Sequence, residues 1–317
     1  MNTIPITFNE HSINRTIIGG IENHAPSALN ISVVILGCEE SHFKTQIFDN
    51  LRTCNFRSVI SIEKDSQNFA IYEITKKYPE VKFIIPQEKT TDGELINIAM
   101  SEVSADYVLV LRENLYVPSG IILSHMAERL TKSEIYCIVP RLLDNNKKAL
   151  PCSFSPSVDK SKFVINSSIS GSEGGKTVYP NDFIALYNRQ KFIQLGGFDY
   201  TITSPYWQNL DLAIRSWLWG EETKITSMLQ FSYVEEPASY DTTINLDYIR
   251  FYLKNQLPKL KMEAAYIKNS SFFKFYSQSS CGFLEALEQF KEAKQWVFKN
   301  KYRFKMDMMT FVKNWTV

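Results

Sequence analysis

The chain has 317 residues, of which 44% are hydrophobic and 13% aromatic, so it can form one large core with or without an appendage. Its 35 basic and 34 acidic residues leave a formal net charge of +1. This balance gives no overall attraction to nucleic acid, and we expect no nucleic-acid partner.

The cysteines and the N-terminus indicate the compartment. The five cysteines are scattered, odd in number and without a Cys-x-x-Cys pair. They therefore favour neither a disulfide framework nor a structural zinc site, and they fit a reducing cytosol. Residues 1–30 are polar and mixed, without the basic start and apolar run of a signal peptide. The longest apolar runs, 33–36 and 107–111, are too short to span a bilayer. We expect a cytoplasmic protein.

The first half of the chain alternates between strand and helix patterns. Continuous apolar runs predict strands at 31–36, 57–62, 81–85 and 107–111, the last of them central. Apolar residues at helical spacing predict helices at 43–55, 68–78 and 93–103. This alternation is typical of a parallel sheet with right-handed crossovers.

Polar loops follow three of these strands. Ligands of such sheets bind at the carboxyl ends of the strands. The sequence therefore predicts one cleft surrounded by residues 37–40, 63–65 and 112–114, and its candidate binding residues are Gly37, Glu39, Glu63, Asp65, Arg112, Glu113 and Asn114.

The order and spacing of several motifs carry a family resemblance. The first group comprises the strand 33–35, Glu63-Lys64-Asp65 after the second strand, Gly93-Glu94-Leu95-Ile96-Asn97 and Arg112-Glu113-Asn114 after the fourth. The second group comprises Leu195-Gly196-Gly197-Phe198-Asp199 and Gln208-Asn209-Leu210-Asp211-Leu212-Ala213-Ile214-Arg215. Together they resemble nucleotide-sugar glycosyltransferases of the GT-A type, family 2.

This resemblance implies an α/β, Rossmann-like GT-A domain with a mostly parallel central sheet flanked by helices. We expect that domain at 30–236, an N-terminal arm at 1–29 and a helical C-terminal appendage at 237–317. It also implies that Glu63 contacts the nucleotide base and that Asn97 belongs to the donor site.

The family's metal motif is altered. That family holds a divalent cation with Asp-x-Asp, because hard cations prefer carboxylate oxygens. Here the outer positions are Arg112 and Asn114, and strand alternation directs Glu113 to the other side. The histidines all lie in the first 125 residues, far from the C-terminal histidine ligand of some family members. We therefore assign no metal-ligating residues and no cofactor. Dependence of the activity on Mn²⁺ or Mg²⁺ is disfavoured. Arg112 either replaces the metal on the pyrophosphate or pairs with a local acid.

The family's catalytic base is altered too. Its position is occupied by Asn209, and an amide cannot accept the proton of an acceptor hydroxyl as a carboxylate does. Two acids are the remaining candidates. Asp211 either substitutes for the base or, as we favour, caps a helix at 212–219. Asp182 is either the base or a turn-forming residue beside Asn181.

Two further segments lie outside these motifs. Residues 142–179 are rich in Ser, Asn, Lys and Gly and predict a flexible insertion. Residues 246–257 and 283–299 predict helices, and basic residues alternate with aromatic ones over 291–317. That C-terminal pattern fits helices packed on the core or on another subunit, which we favour, or peripheral membrane binding.

The leading hypothesis is a glycosyltransferase that transfers a sugar from a nucleotide-sugar donor to a glycan or protein acceptor, by a metal-independent or altered mechanism. The alternative is a catalytically inactive GT-A relative that acts as a binding or scaffold module. A nucleotidyltransferase is a weaker third, because no glycine-rich basic loop follows the first strand.

Overall fold

The computed structural model describes residues 8–37, 44–63, 70–159, 162–279 and 281–315. The strands are β1 (Arg15–Gly19), β2 (Leu29–Leu36), β3 (Phe56–Ile62), β4 (Val81–Pro86), β5 (Tyr107–Arg112), β6 (Leu115–Tyr116), β7 (Cys137–Leu143), β8 (Ser153–Asp159), β9 (Lys162–Ser168), β10 (Ala185–Asn188), β11 (Thr223–Tyr233), β12 (Lys259–Lys261) and β13 (Ala264–Tyr266).

The helices are α1 (Lys44–Leu51), α2 (Ala70–Lys77), α3 (Asp92–Glu102), α4 (Ser124–Thr131), α5 (Arg189–Gln194), α6 (Pro205–Leu218), α7 (Leu246–Phe251), α8 (Ser271–Gln278), α9 (Phe283–Lys299) and α10 (Met308–Lys313). A 3₁₀ turn at Asn181–Phe183 and a π-helix at Tyr252–Gln256 complete the set in the described chain.

A nine-stranded sheet forms the centre of the fold, in the order β1-β4-β3-β2-β5-β10-β7-β11-β6. Strands β2 to β5 are parallel, whereas β10 runs antiparallel to both of its neighbours. The four strands predicted in the first half are confirmed. Strand β5 lies between β2 and β10, and all six of its residues are buried, as its uninterrupted hydrophobicity predicts.

Helix α3 shows how local sequence positions the site. The Thr91 hydroxyl accepts a hydrogen bond from the Glu94 backbone N–H, and the Glu94 carboxylate accepts one from the Thr91 backbone N–H. This capping box fixes the first turn of the helix. Asp92 and Gly93 consequently stand at the amino end of α3.

The N-terminal segment adds to the sheet. Strand β1 pairs antiparallel with β4, with Arg15 opposite Pro86 and Gly19 opposite Lys82. Residues within the predicted arm thus supply one edge of the central sheet.

The segment 142–179 differs from its prediction as a flexible insertion. Strands β8 and β9 pair from Ser153↔Ser168 to Asp159↔Lys162 in a regular hairpin. Phe154 is buried and stacks on Tyr179, with ring centroids 4.3 Å apart. The alternation of serines with Phe154, Pro156 and Val158 is a period-2 pattern that the overall polarity of the segment concealed.

The C-terminal region packs on the core. Helix α9 coincides with the predicted helix 283–299, and the predicted helix 246–257 is divided between α7 and the π-helix. Trp296, Phe304 and Phe311 are buried in one hydrophobic cluster with residues of α6. The favoured expectation of an aromatic stripe packed on the core is thereby confirmed. Within the described ranges, no helix is both long and apolar enough to cross a bilayer.

Candidate functional site

The backbones of the chain come into close contact where the parallel strands β2 and β3 end. Gly37 donates its backbone N–H to the Ile62 carbonyl at 2.9 Å, and a Cβ at position 37 would lie 2.7 Å from that oxygen. Only glycine allows this approach without movement of the backbone. Glu63 follows β3 and is buried, and its Oε1 accepts a hydrogen bond from the Ser61 hydroxyl at 2.8 Å. Two predicted site residues, Glu39 and Asp65, lie outside the described residues.

Arg112 and Glu113 point to opposite sides of the sheet, as strand alternation predicts. The Glu113 carboxylate is buried beside Gly37, whereas the Arg112 guanidinium lies over the ring of Phe183 at 5.7 Å. Asn114 leaves the strand, and its backbone carbonyl accepts a hydrogen bond from Val234. Its buried side-chain oxygen has no hydrogen-bond partner in the described chain.

Arg112 is the centre of a buried ionic cluster. Its Nη2 lies 2.7 Å from Asp92 Oδ2 and 2.7 Å from Asp182 Oδ1, and its Nε donates to the same Asp182 oxygen at 2.8 Å. Tyr233 donates its hydroxyl to Asp182 Oδ2 at 2.8 Å, and Tyr240 donates to Asp182 Oδ1. We call these five residues the Arg112 cluster.

The charges of the Arg112 cluster do not cancel. One guanidinium faces two carboxylates, so the cluster carries a formal charge of −1. Burial lowers the pKa of Arg112, but Asp182 and then Asp92 outweigh burial, and its pKa lies well above the usual value. Burial, followed by the nearby Asp182 carboxylate, raises the pKa of both Tyr233 and Tyr240. Both tyrosines therefore remain neutral donors at physiological pH.

Asp182 occupies a strained turn. It has φ 53° and ψ 31° inside the short 3₁₀ turn, and Phe183 follows with φ 62°. Aspartate enters this left-handed region more readily than most residues, and the strain costs about 1–3 kcal/mol. The expectation of a turn at Asp182 is thus met, and the turn also aims the carboxylate at the Arg112 guanidinium, a contact that the sequence did not predict.

Gln208 and Asn209, the two amides where the sequence resemblance led us to expect acids, bond to neighbouring segments. Gln208 accepts a hydrogen bond from the Gly93 backbone N–H at 3.0 Å and donates to Thr91 Oγ1 at 2.8 Å and to the Asp199 carbonyl at 3.0 Å. Asn209 donates to the Pro180 carbonyl at 2.7 Å. Gln208 therefore ties α6 to the start of α3, and Asn209 holds the turn that carries Asp182.

Asp211 does not cap a helix, contrary to our expectation. Helix α6 begins at Pro205, a favoured first position, so Asp211 lies in its interior. Its carboxylate is fully buried and lies 2.9 Å from the Lys254 ammonium, which also lies 2.6 Å from Asp199. Asn255 donates to Asp211 at 2.7 Å. Asp211 thus links α6 to the π-helix.

Asn97 bonds to the backbone of the glycine-rich turn. Its side chain donates to the Phe198 carbonyl at 2.8 Å and accepts from the Phe198 N–H at 2.9 Å. A Cβ at Gly197, whose φ is +67°, would lie 2.5 Å from the Asn97 oxygen. The observed contacts of Asn97 connect α3 to this turn.

Sequence reasoning missed three members of the Arg112 cluster. Asp92 gives a weak signal, because it directly precedes the glycine of a recognised motif. Tyr233 and Tyr240 lie more than 50 residues from Asp182 in the chain, and no periodicity marks them.

The Arg112 cluster does not fit a divalent cation. The position that a metal would require holds a guanidinium already paired with both carboxylates. Across the described ranges, no three His, Cys, Asp or Glu side chains are grouped as metal ligands.

No protein-family model and no curated protein matches this sequence. Solved structures do match its coordinates. GalNAc-T7, crystallised with UDP, GalNAc and Mn²⁺, has a TM-score of 0.63 at 13% identity, over 94% of this chain and 60% of that one. TarS residues 1–349 from S. aureus, in complex with UDP-GlcNAc, has a TM-score of 0.51 at 13% identity, over 90% and 91%. The chain has the GT-A fold. The expected mainly parallel sheet flanked by helices is thereby confirmed, although the chain spans only 60% of the GalNAc-T7 structure.

Proposed function

We propose that this GT-A chain is a glycosyltransferase that transfers a sugar from a nucleotide-sugar donor to a glycan or protein acceptor without a divalent cation. One observation carries the proposal. A buried guanidinium, Arg112, stands at the carboxyl end of the central strand, where ligands of such sheets bind, and it touches a carboxylate.

Arg112 supplies an N–H donor to the leaving diphosphate, within a cluster whose formal charge is −1. When the glycosidic bond to the leaving diphosphate breaks, the bonding electrons pass to the phosphate oxygens, and a guanidinium can stabilise this charge with a fork of N–H groups. Its Nε and Nη2 hold the two aspartates, while Nη1 donates to no acceptor among the described residues. Nη1 is therefore the N–H group with which Arg112 would bind a phosphate oxygen.

Asp182 supplies the base. In the step proposed, the acceptor oxygen forms a bond to the sugar's anomeric carbon as the bond to the diphosphate breaks, and the acceptor proton passes to Asp182. Both Asp182 oxygens accept hydrogen bonds in this structure. The acceptor hydroxyl must therefore displace one donor, and Tyr240 is the best placed, because it lies in the irregular segment between β11 and α7.

A second candidate is a non-catalytic binding module on the same fold. Gln208 and Asn209 occupy the positions of the family's acidic pair, and both amides are engaged with backbone groups or Thr91. Arg112 is already neutralised by two aspartates. In this second candidate, the hydrogen bonds of Gln208 and Asn209 and the ion pairs of Arg112 stabilise the fold and take no part in catalysis.

Calorimetric titration distinguishes the two candidates. The purified chain is titrated with UDP, GDP and dTDP and their common sugars, with and without Mn²⁺. Arg112→Lys keeps the charge but loses the planar fork, and it should weaken nucleotide binding by about ten-fold or more. Arg141→Lys is the matched control, because among the described residues Arg141 donates only to the Gly171 carbonyl, away from the Arg112 cluster. Melting curves check that both variants fold.

Each result decides between specific ideas. Metal-independent binding that Arg112→Lys weakens, together with release of nucleoside diphosphate in the presence of an acceptor, supports the transferase. Binding that needs Mn²⁺, or that Arg112→Lys leaves unchanged, contradicts the role of Arg112. If none of the nucleotides binds, the result supports the non-catalytic binding module.

A further inference from the structure

Two segments near the C-terminus concentrate positive charge. They are residues 259–263, in the hairpin of β12 and β13, and residues 299–307, from the last residue of α9 to the start of α10. Their charged residues are six bases and two acids: Lys259, Lys261, Lys299, Lys301, Arg303 and Lys305 against Glu263 and Asp307. The segments therefore carry a formal charge of +4, whereas the whole chain carries +1.

The two segments lie side by side. Ala265 of β13 donates its backbone N–H to the Lys301 carbonyl at 2.9 Å. The Lys259 ammonium lies 4.0 Å from the Asp307 carboxylate, which also accepts the Thr310 N–H at the start of α10. The charges of the two segments thus belong to one surface. We call residues 259–263 and 299–307, together with Phe298, the basic patch.

Most of the lysines in the basic patch face solvent. Lys261, Lys299 and Lys305 are exposed, and Lys301 is half-buried. Arg303 is also exposed, but its guanidinium lies over the ring of a core tryptophan at 5.0 Å. The lysines are therefore the cations of this surface that can meet an anionic partner.

Large apolar side chains are exposed among these lysines. Phe298 is 65% exposed and Tyr302 is 70% exposed, and Met262 at the tip of the hairpin is 89% exposed. The Lys301 ammonium lies 4.4 Å from the centre of the Phe298 ring and 4.9 Å from that of the Tyr302 ring. Two aromatic rings and one cation thus form a single exposed cluster. Phe304 in the same segment is buried, so only part of the aromatic sequence pattern is used in the core.

The combination of charge and apolar surface selects the partner. At an anionic lipid surface, aromatic side chains enter the boundary between head groups and acyl chains, while lysines reach the phosphates. A nucleic acid would use the lysines but offers no apolar phase to the Met262 side chain. A second copy docked through the same patch would bring +4 against +4, and like charges oppose such a contact.

We propose that the basic patch binds the surface of an anionic lipid bilayer. Phe298, Tyr302 and Met262 enter the head-group region, and the exposed lysines contact the lipid phosphates. The chain is then a peripheral membrane protein at this surface. The inference does not depend on the proposed transferase activity.

Co-sedimentation of the purified chain with vesicles tests the proposal. The vesicles are phosphatidylcholine alone, or equal parts of phosphatidylcholine and phosphatidylglycerol, and a DNA duplex serves as the polyanion without an apolar phase. Phe298→Ser removes an exposed ring of the patch. Leu284→Ser is the matched control, because Leu284 is 79% exposed on the same helix but lies 14 residues, or about 21 Å, away. Tyr302→Ser repeats the test outside the helix, and melting curves check that each variant folds.

We expect the chain to bind the mixed vesicles at least about ten-fold more tightly than phosphatidylcholine vesicles. Phe298→Ser should weaken this binding by about five- to ten-fold, the effect of burying about half of a phenylalanine side chain, and Leu284→Ser should leave it unchanged. Lys301→Gln should weaken it by about five-fold, the effect of one basic residue near an anionic surface. Binding should also weaken between about 0.1 M and 1 M salt, because the Debye length falls from about 10 Å to 3 Å.

Four results would overturn the proposal. The first is equal binding to the two kinds of vesicle, and the second is an equal effect of Phe298→Ser and Leu284→Ser. The third is binding to the DNA duplex as tight as to the mixed vesicles, which would assign the lysines to nucleic acid. The fourth is a dimer in sedimentation velocity that Phe298→Ser dissociates, which would assign the patch to a second copy of the chain.

Discussion

Replacing Lys254 by methionine should destabilise the fold by about 3–5 kcal/mol at neutral pH, because it breaks a fully buried ion pair. Lys254 lies 2.6 Å from Asp199 and 2.9 Å from Asp211, and all three side chains are inaccessible to solvent. Arg215 lies 3.5 Å from Asp211, so two cations balance two anions in the wild type. The substitution leaves one buried negative charge uncompensated, and its cost is a large fraction of a typical total stability.

The destabilisation by Lys254→Met should depend on pH, and the pKa of Asp199 determines the direction of that dependence. Burial raises the pKa of Asp199, but Lys254 outweighs burial, so its net pKa is lowered. In the wild type this stabilisation is present above the unfolded pKa of about 3.9 and is lost as the pH falls through the folded value. Without the Lys254 ammonium, the effect of burial on the Asp199 pKa dominates. The two buried carboxylates, Asp199 and Asp211, can then share a bound proton in the folded state. The deficit of Lys254→Met should therefore shrink between pH 7 and pH 5.

Urea unfolding at both pH values measures the difference in free energy. Lys76→Met is the matched control, because the Lys76 side chain is 73% exposed and, in the part of the chain that the structure describes, pairs only with Glu73 on the same helix. Adding Asp199→Asn to Lys254→Met should recover part of the loss, since it removes the uncompensated charge. A loss below about 1 kcal/mol, or one that is equal at the two pH values, would refute the reasoning about the buried pair.

Three further predictions concern the neighbourhood of the Arg112 cluster. Gly93→Ala should lower stability by about 1–3 kcal/mol in thermal unfolding, because its Cβ would lie 2.5 Å from the Gln208 side chain; an unchanged melting temperature would mean that Gln208 moves freely. Gln208→Glu should lower stability by about 1–3 kcal/mol, since it removes the donor to Thr91 Oγ1 and the Asp199 carbonyl, and urea unfolding should show a smaller loss in acid, where the carboxyl can donate. Tyr240→Phe removes one hydrogen bond to Asp182 and should cost about 1 kcal/mol or less in urea unfolding; because the acceptor hydroxyl and not the nucleotide displaces Tyr240, calorimetric titration should show unchanged nucleotide affinity, and a changed affinity would contradict that assignment.

Local sequence determined the framework of this protein. The buried strands β2 to β5, the helices between them and α9 follow from hydrophobic runs and helical spacing, which act over a few residues. The motif order also sufficed to predict the GT-A fold and to place Arg112 at the end of the central strand. The opposite directions of Arg112 and Glu113 follow from strand geometry alone.

Only the tertiary structure decided what these residues touch. Arg112 meets Asp182 across 70 residues of chain, and Lys254 meets Asp199 across 55. Such pairs form because a buried charge must find its counter-charge wherever the fold brings one, and no local pattern encodes that partner. The same cause explains why Asp211, expected as a cap, is instead an internal ion-pair partner. Hydrophobic periodicity thus specified the scaffold, while the electrostatics of burial assigned the partners of its charged residues.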